Sequence, residues 1–211
     1  MKDSVNTVAP TGRVPRRRTE TRRRLLEATE QILLDGGISA VTVDSVTGRA
    51  GYTRGAFYSN FTSVDELIFG IYSDRQTRLL DRLTSVAADT TAMHGGSIRS
   101  AVETVIAAIP FDIEWLRIRI GFASQARFDP CLRDLFEEHE HRFLDALSVV
   151  VMETLRQVGL TPTVDAKEFT RAVVAAHNGA LANSETDEDP SRLRVLVCTA
   201  VVLSLTRPLE G

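Results

Sequence analysis

The sequence predicts an all-α chain, and three observations carry that prediction. Apolar residues recur at helical spacing along nearly the whole length, residues that cap and break helices punctuate it at helix-sized intervals, and no segment alternates as a half-buried strand would. With 211 residues and 43% hydrophobic composition, the chain can bury a real core, as one large domain or as a small module joined to a larger one.

Residues 1–17 mix Pro10, Gly12 and Pro15 with polar residues and then arginines, the composition of a mobile basic arm. A first helix follows from about Thr19 to Asp35. Leu25, Ala28, Thr29, Ile32 and Leu33 form its one apolar face, Arg22, Arg23 and Arg24 lie outside, and Gly36-Gly37 stops it. A short helix capped by Thr42 ends near Gly51, and another capped by Thr53 begins almost at once. Ser63 and Glu66 form a capping box at the start of a fourth helix running past Leu79 and Leu83. Helix signals continue to the end, with breaks at Gly95-Gly96, Pro110, Asp129-Pro130, Gly159 to Pro162 and Asp187 to Pro190. The organisation expected is an arm over 1–17, a small helical module over 18–80 and a helical body over 81–211.

The last helix, expected from Ser191 to Thr206, is apolar all round. Leu193, Leu196, Val197, Ala200, Val201 and Ser204 form one stripe, while Val195, Cys198, Val202 and Leu205 lie opposite. Such a helix must be covered on both sides. Phe169, Val173, Ala176 and Ala180 of the preceding helix supply small residues for close approach. The reading is a homodimer, with one side of the pair covered by the chain's own body and the other by a second copy; a fully internal helix in a monomer is the alternative.

Composition narrows the function classes. The opening residues lack the apolar run of a signal peptide and "VLVCTAVVLSL" is too short to cross a bilayer, so a soluble cytoplasmic protein with no membrane partner is expected. Cys131 and Cys198 have no metal-type spacing. No cofactor, metal or catalytic arrangement is expected, and "GRAG" lacks the lysine of a phosphate loop. The net charge of −3 divides into +4 over residues 1–61 and −7 over the remainder. A basic head on an acidic body points to an anionic partner at the head.

The stretch "RAGYTRGAFYSNF" shows what that head is for. A helix, a short turn near glycine and a second short helix make a helix-turn-helix, here over 42–61, whose second helix enters the DNA major groove. Thr53 starts that helix, so its backbone N–H groups and hydroxyl can face a phosphate. Arg54 can donate to guanine or to phosphate, Gly55 and Ala56 keep bulk low, and Tyr58 can reach a phosphate with its hydroxyl. Phe57 and Phe61 read as core anchors, and Tyr52 either packs inside the motif or projects toward the backbone. Arg16, Arg17 and Arg18 of the arm either follow DNA or serve as a solubilising tail.

The run "RRRLLEATEQILLDGGISAVTVDSVTGRAGYTRGAFYSNFTSVDEL" resembles the DNA-binding domain of the TetR family of transcriptional regulators. Gly37, "TVDSV", "AG", "TRGAFY" and Phe61 before "S-x-x-E-L" carry the resemblance. It implies that Thr42, Thr53, Arg54, Gly55, Ala56, Tyr58 and Ser59 lie at or near DNA. It also implies a helical ligand-binding and dimerisation domain, with dimerisation through the last two long helices, and a repressor released from a palindromic operator by a small-molecule effector. Val64 stands where many members carry a phosphate-contacting lysine.

By the same resemblance the body would enclose a pocket. Phe111, Trp115, Arg119, Phe122, Phe143 and His177 are the candidates for its lining, Trp115 and Phe122 first because seven residues' spacing lets them share a helix face. Glu138 and His141 have the spacing of a helical di-iron site, the basis of an alternative metalloenzyme reading, but no second Glu-x-x-His accompanies them and "EEHEH" reads as a solvated helix face. A DNA-binding regulator without a ligand is the other alternative.

Overall fold

Nine α-helices, one short 3-10 helix (Ile38–Ala40) and one minimal pair of strands make up the described part of the chain, residues 16–89, 97–184 and 188–209 of a computed structural model, side chains of Arg16 and Arg17 excepted. Of the expected arm, residues 1–15 lie outside the described residues, and Arg16 and Arg17 belong to the first helix.

The helices are α1 (Arg16–Gly36), α2 (Val43–Ala50), α3 (Arg54–Tyr58), α4 (Val64–Ala88), α5 (Ile98–Ala108), α6 (Ile113–Ala126), α7 (Pro130–Gln157), α8 (Ala166–Asn183) and α9 (Pro190–Leu205). Most start with the capping chemistry that their sequences announce. Thr42, Thr53 and Ser63 each accept a hydrogen bond from the backbone N–H three residues on. The reciprocal capping box forms between Thr42 and Ser45. At α4 the expected box takes another form: Glu66 accepts from the N–H and hydroxyl of Thr62, one residue before the cap. Gly51 closes α2 in the left-handed region at φ 72°, which a residue with a Cβ adopts only at a cost.

Two strands were not expected. β1 (Leu160–Pro162) pairs antiparallel with β2 (Thr206–Pro208), tying the end of α9 to the turn after α7. Strands of three residues are too short to leave a periodic signal, so the all-α class stands with this small addition.

The head consists of α1–α3 and the first turns of α4, built round Leu25, Leu33, Val46, Phe57, Phe61 and Leu67, each no more than 1% exposed. Its core continues into the body through Ile71 and Tyr72 of α4 to Trp115, Ile118 and Phe122 of α6 and Phe136 of α7. The division expected at residue 80 therefore falls within one uninterrupted helix, α4. Two smaller clusters lie farther out, one joining α5 to α9 through Ile106, Val195 and Cys198, the other joining α7, α8 and α9 through Leu155, Phe169 and Val202.

Candidate nucleic-acid interface and body cavity

α3 is five residues long and cannot hold itself together, so its position comes from two aromatic anchors on one side. Phe57 is 0% and Phe61 1% exposed, with ring centroids 5.9 Å apart. Arg22 of α1 covers the Phe61 ring at 4.3 Å and donates to the Asn60 carbonyl, joining the end of the motif to the first helix. On the opposite side, Thr53, Arg54, Gly55, Tyr58 and Ser59 are exposed, with Tyr58 at 61%, while Ala56 is half-buried. The sequence-predicted contact residues thus share one outer surface, and Thr42 stands exposed at the neighbouring start of α2.

A Cβ added at Gly55 would meet only the Thr53 hydroxyl oxygen, at 3.8 Å, and the backbone there is ordinary helix. The fold does not require this glycine; what it leaves is room outside. Tyr52 is resolved in favour of packing: it is half-buried against the head core. Arg18 is exposed at the start of α1. Val64 packs on the head core.

The exposed arginines are not equivalent. Arg23 and Arg24 are engaged by Glu20 of the same helix, holding that carboxyl down at about 2, and Arg23 also pairs with Glu27. Arg49 pairs with Asp35 at 2.6 Å. Arg54 is held by Asp44 of α2 through two hydrogen bonds, a partner that sequence reading missed.

In the body, α4–α9 surround a cavity of about 1190 Å³ whose walls are largely aliphatic. Trp115, Arg119, Phe143 and His177 line it, whereas Phe111 and Phe122 do not. Phe111 sits at the outer start of α6, 40% exposed. Phe122 is 3% exposed in the seam beneath the head, between Phe69 and Phe136. Trp115 and Phe122 do lie on one side of α6, but seven residues advance the helix about 10 Å, from the cavity into that seam.

The head-proximal wall is polar and closed on itself. Arg119 donates to Glu140 at 2.6 Å, Gln76 donates to Glu140 and to the Tyr72 hydroxyl, and that hydroxyl donates to Glu140. Burial, with the Glu140 charge beside it, keeps the Tyr72 phenol protonated far above its usual range. Arg75 joins Glu30 of α1 to Asp112, which also caps α6, and its guanidinium covers the Trp115 ring at 4.2 Å. "EEHEH" is accordingly only half a solvated face: Glu137, Glu138 and His141 are exposed, but His139 packs on Phe69 and Tyr72, and Glu140 turns inward. Phe136, Glu140, Phe143 and Leu147 share a helical face, which was the available signal. Glu138 pairs with Arg142, and among the described residues no group of three potential ligands could hold a metal ion. Deeper in, burial and then the nearby Arg194 depress His177 to about 4.

On the outer pair of helices, Phe169 is 0% and Ala180 4% exposed, so both fill the protomer's own core and neither can serve the interface expected of them. Their large or close-packed side chains point to the body because α8 turns that face inward. Val195, Cys198 and Val202 of α9 also face inward, while Leu196 and Leu203 remain 56% and 57% exposed, with Leu193, Val197 and Val201 half-buried beside them. Val173 and Ala176 are half-buried on α8.

Comparison with known proteins meets the same division. Residues 25–71 match the family model "Bacterial regulatory proteins, tetR family". The HTH-type transcriptional regulator SrpR of Pseudomonas putida is 35% identical over 57 residues, 27% of either chain. The HTH-type transcriptional activator FasR of Mycolicibacterium smegmatis is 29% identical over 101 residues, 48% of this chain and 46% of that one. The alignments thus span less than half the length of either relative. The whole fold is similar to a crystal structure assigned to a TetR-family regulator of Mesorhizobium loti, with a TM-score of 0.66 at 18% identity over 89% of this chain and 96% of that one. The head thus matches the TetR family of bacterial regulatory proteins in sequence over residues 25–71, and the described helices share the architecture of that solved structure.

Proposed function

We propose that the protein is a sequence-specific transcriptional regulator that binds a roughly palindromic double-stranded operator as a homodimer, and is released from it by a small molecule held in the body cavity. The observation that carries this reading is the two-sided α3. Its anchors are fully buried while Thr53, Arg54, Gly55, Tyr58 and Ser59 are exposed together on the opposite side. Recognition helices of a two-fold dimer would sit about 34 Å apart, one DNA turn.

Leu196 and Leu203, with Ala200 between them and the small residues Ala175, Gly179 and Ala182 exposed on α8, offer the surface that a second copy would cover. The effector favoured by the cavity is neutral and largely apolar. Its two half-buried wall cations, Arg75 and Arg119, already have carboxylate partners, so an anionic ligand held by either would have to displace that partner. α4 supports the coupling, since Leu67 lies in the head core while Tyr72 and Arg75 join the cavity wall. To empty an operator, the effector must favour one of two states by several kcal/mol. Whether occupancy represses or activates depends on operator position; repression is the reading carried forward.

Selection of genomic DNA fragments by the purified protein tests this. The expected result is a two-fold symmetric site that one class of neutral apolar compound releases, and failure to enrich any fragment would overturn it.

A further inference from the structure

Arg54 could in principle read a guanine or simply hold a phosphate, and the structure contains a device that chooses between them. Arg54 is the first residue of α3, and its Nε donates to Asp44 Oδ1 at 2.6 Å while Nη2 donates to Oδ2 at 2.5 Å. Asp44 lies in the first turn of α2, a helix fixed by its Thr42–Ser45 capping box and by the buried Val46. The pair spans the two helices of the motif, and both side chains are about two-thirds exposed, on the surface that faces outward.

A bidentate carboxylate on the Nε–Nη2 edge fixes the plane of the guanidinium. The contact does not use Nη1, and the Nη1–Nη2 edge is the pair of donors that matches O6 and N7 of guanine in the major groove. The same carboxylate is a poor neighbour for a phosphate. If Arg54 swung away to a backbone phosphate, Asp44 would be left unpaired against DNA. If adenine replaced guanine, its N6 amino group would meet the fixed donors head on.

Resting on the DNA-binding reading above, we propose that Asp44 is a specificity-determining residue: it holds Arg54 as a guanine reader and withholds it from non-specific phosphate binding. Asp44 need not touch a base itself. It acts as a positioning residue, contributing negatively to affinity for random DNA and positively to discrimination.

The test compares sites selected from a random library by the wild type and by Asp44→Ala and Asp44→Asn, with the affinity of each for the selected site and for random duplex over a salt series. The wild type is expected to require guanine at one position per half-site. Asp44→Ala should lose that requirement, lower the specific-to-random affinity ratio at least about fivefold, bind random DNA more tightly, and steepen the salt dependence by about 0.9 in log–log slope as Arg54 takes a phosphate. Asp44→Asn keeps the shape and one acceptor and should fall between. A merely structural tie would show as a lower melting temperature with base preference and affinity ratio unchanged in both variants, and that result overturns the proposal. A wild type that enriches no site overturns instead the DNA-binding reading beneath it.

Discussion

Head and body are held together in opposite ways. In the head, the buried groups are almost all apolar, α2 and α3 are short, and the few buried polar side chains, Thr29 and Thr47, bond to carbonyls of their own helices. In the body, α4–α9 enclose a large cavity and hold polar groups in clusters such as Tyr72, Gln76, Arg119 and Glu140. A dense, dry core gives a fixed shape to present to a partner, whereas a hollow one lined with paired charges can be filled or rearranged. Under the proposed function, the difference is that between a surface that reads and an interior that senses.

The largest effect expected is in the head. Phe57→Ala removes the anchor of α3 and should cost about 3–5 kcal/mol in urea unfolding, abolishing DNA binding with it. An acid titration separates the regions next, because all four histidines, at 94, 139, 141 and 177, follow the head in sequence. His177 is depressed to about 4 by burial, and burial lowers His139 as well. As pH falls, the unfolded chain therefore takes up these protons first, from about 6.5 downward, and stability falls with it by up to about 2–3 kcal/mol for His177 before pH 4.5. Denaturant melts at pH 7 and pH 4.5 should show the loss, and His177→Asn should flatten it. Above the ordinary carboxylate range the paired Glu20 and Glu153 contribute no slope. Arg119→Ala, which strands Glu140 and the Tyr72 hydroxyl at the cavity wall, should cost about 2 kcal/mol, read by thermal melting.

The same contrast explains what the sequence disclosed. The caps Thr42, Thr53 and Ser63 act on residues three positions away, so their pattern is visible in a row of letters, and the anchors Phe57 and Phe61 announce themselves by spacing. Contacts across the fold leave no such trace. Tyr72 and Glu140 are 68 residues apart, Arg75 and Asp112 37 apart, and both clusters went unseen. Even ten residues hid the partner of Arg54, because Asp44 alone looks like an ordinary helix-start acid. Phe122 and Phe169 misled for a related reason: periodicity reports which helix face is apolar, but not whether a cavity, the head or a second chain lies against it.

The most direct test of the two-sided head is its smallest stability effect. Gly55 is not required by the fold, so Gly55→Ala should leave the melting temperature unchanged or raise stability by about 0.5 kcal/mol, from helix propensity alone. Affinity for the selected operator, measured by equilibrium titration on the same preparation, should nonetheless fall at least about tenfold, because the added methyl stands where DNA must approach. Undiminished operator affinity in Gly55→Ala would contradict the account, since the outer face of α3 would then not be the surface that DNA meets.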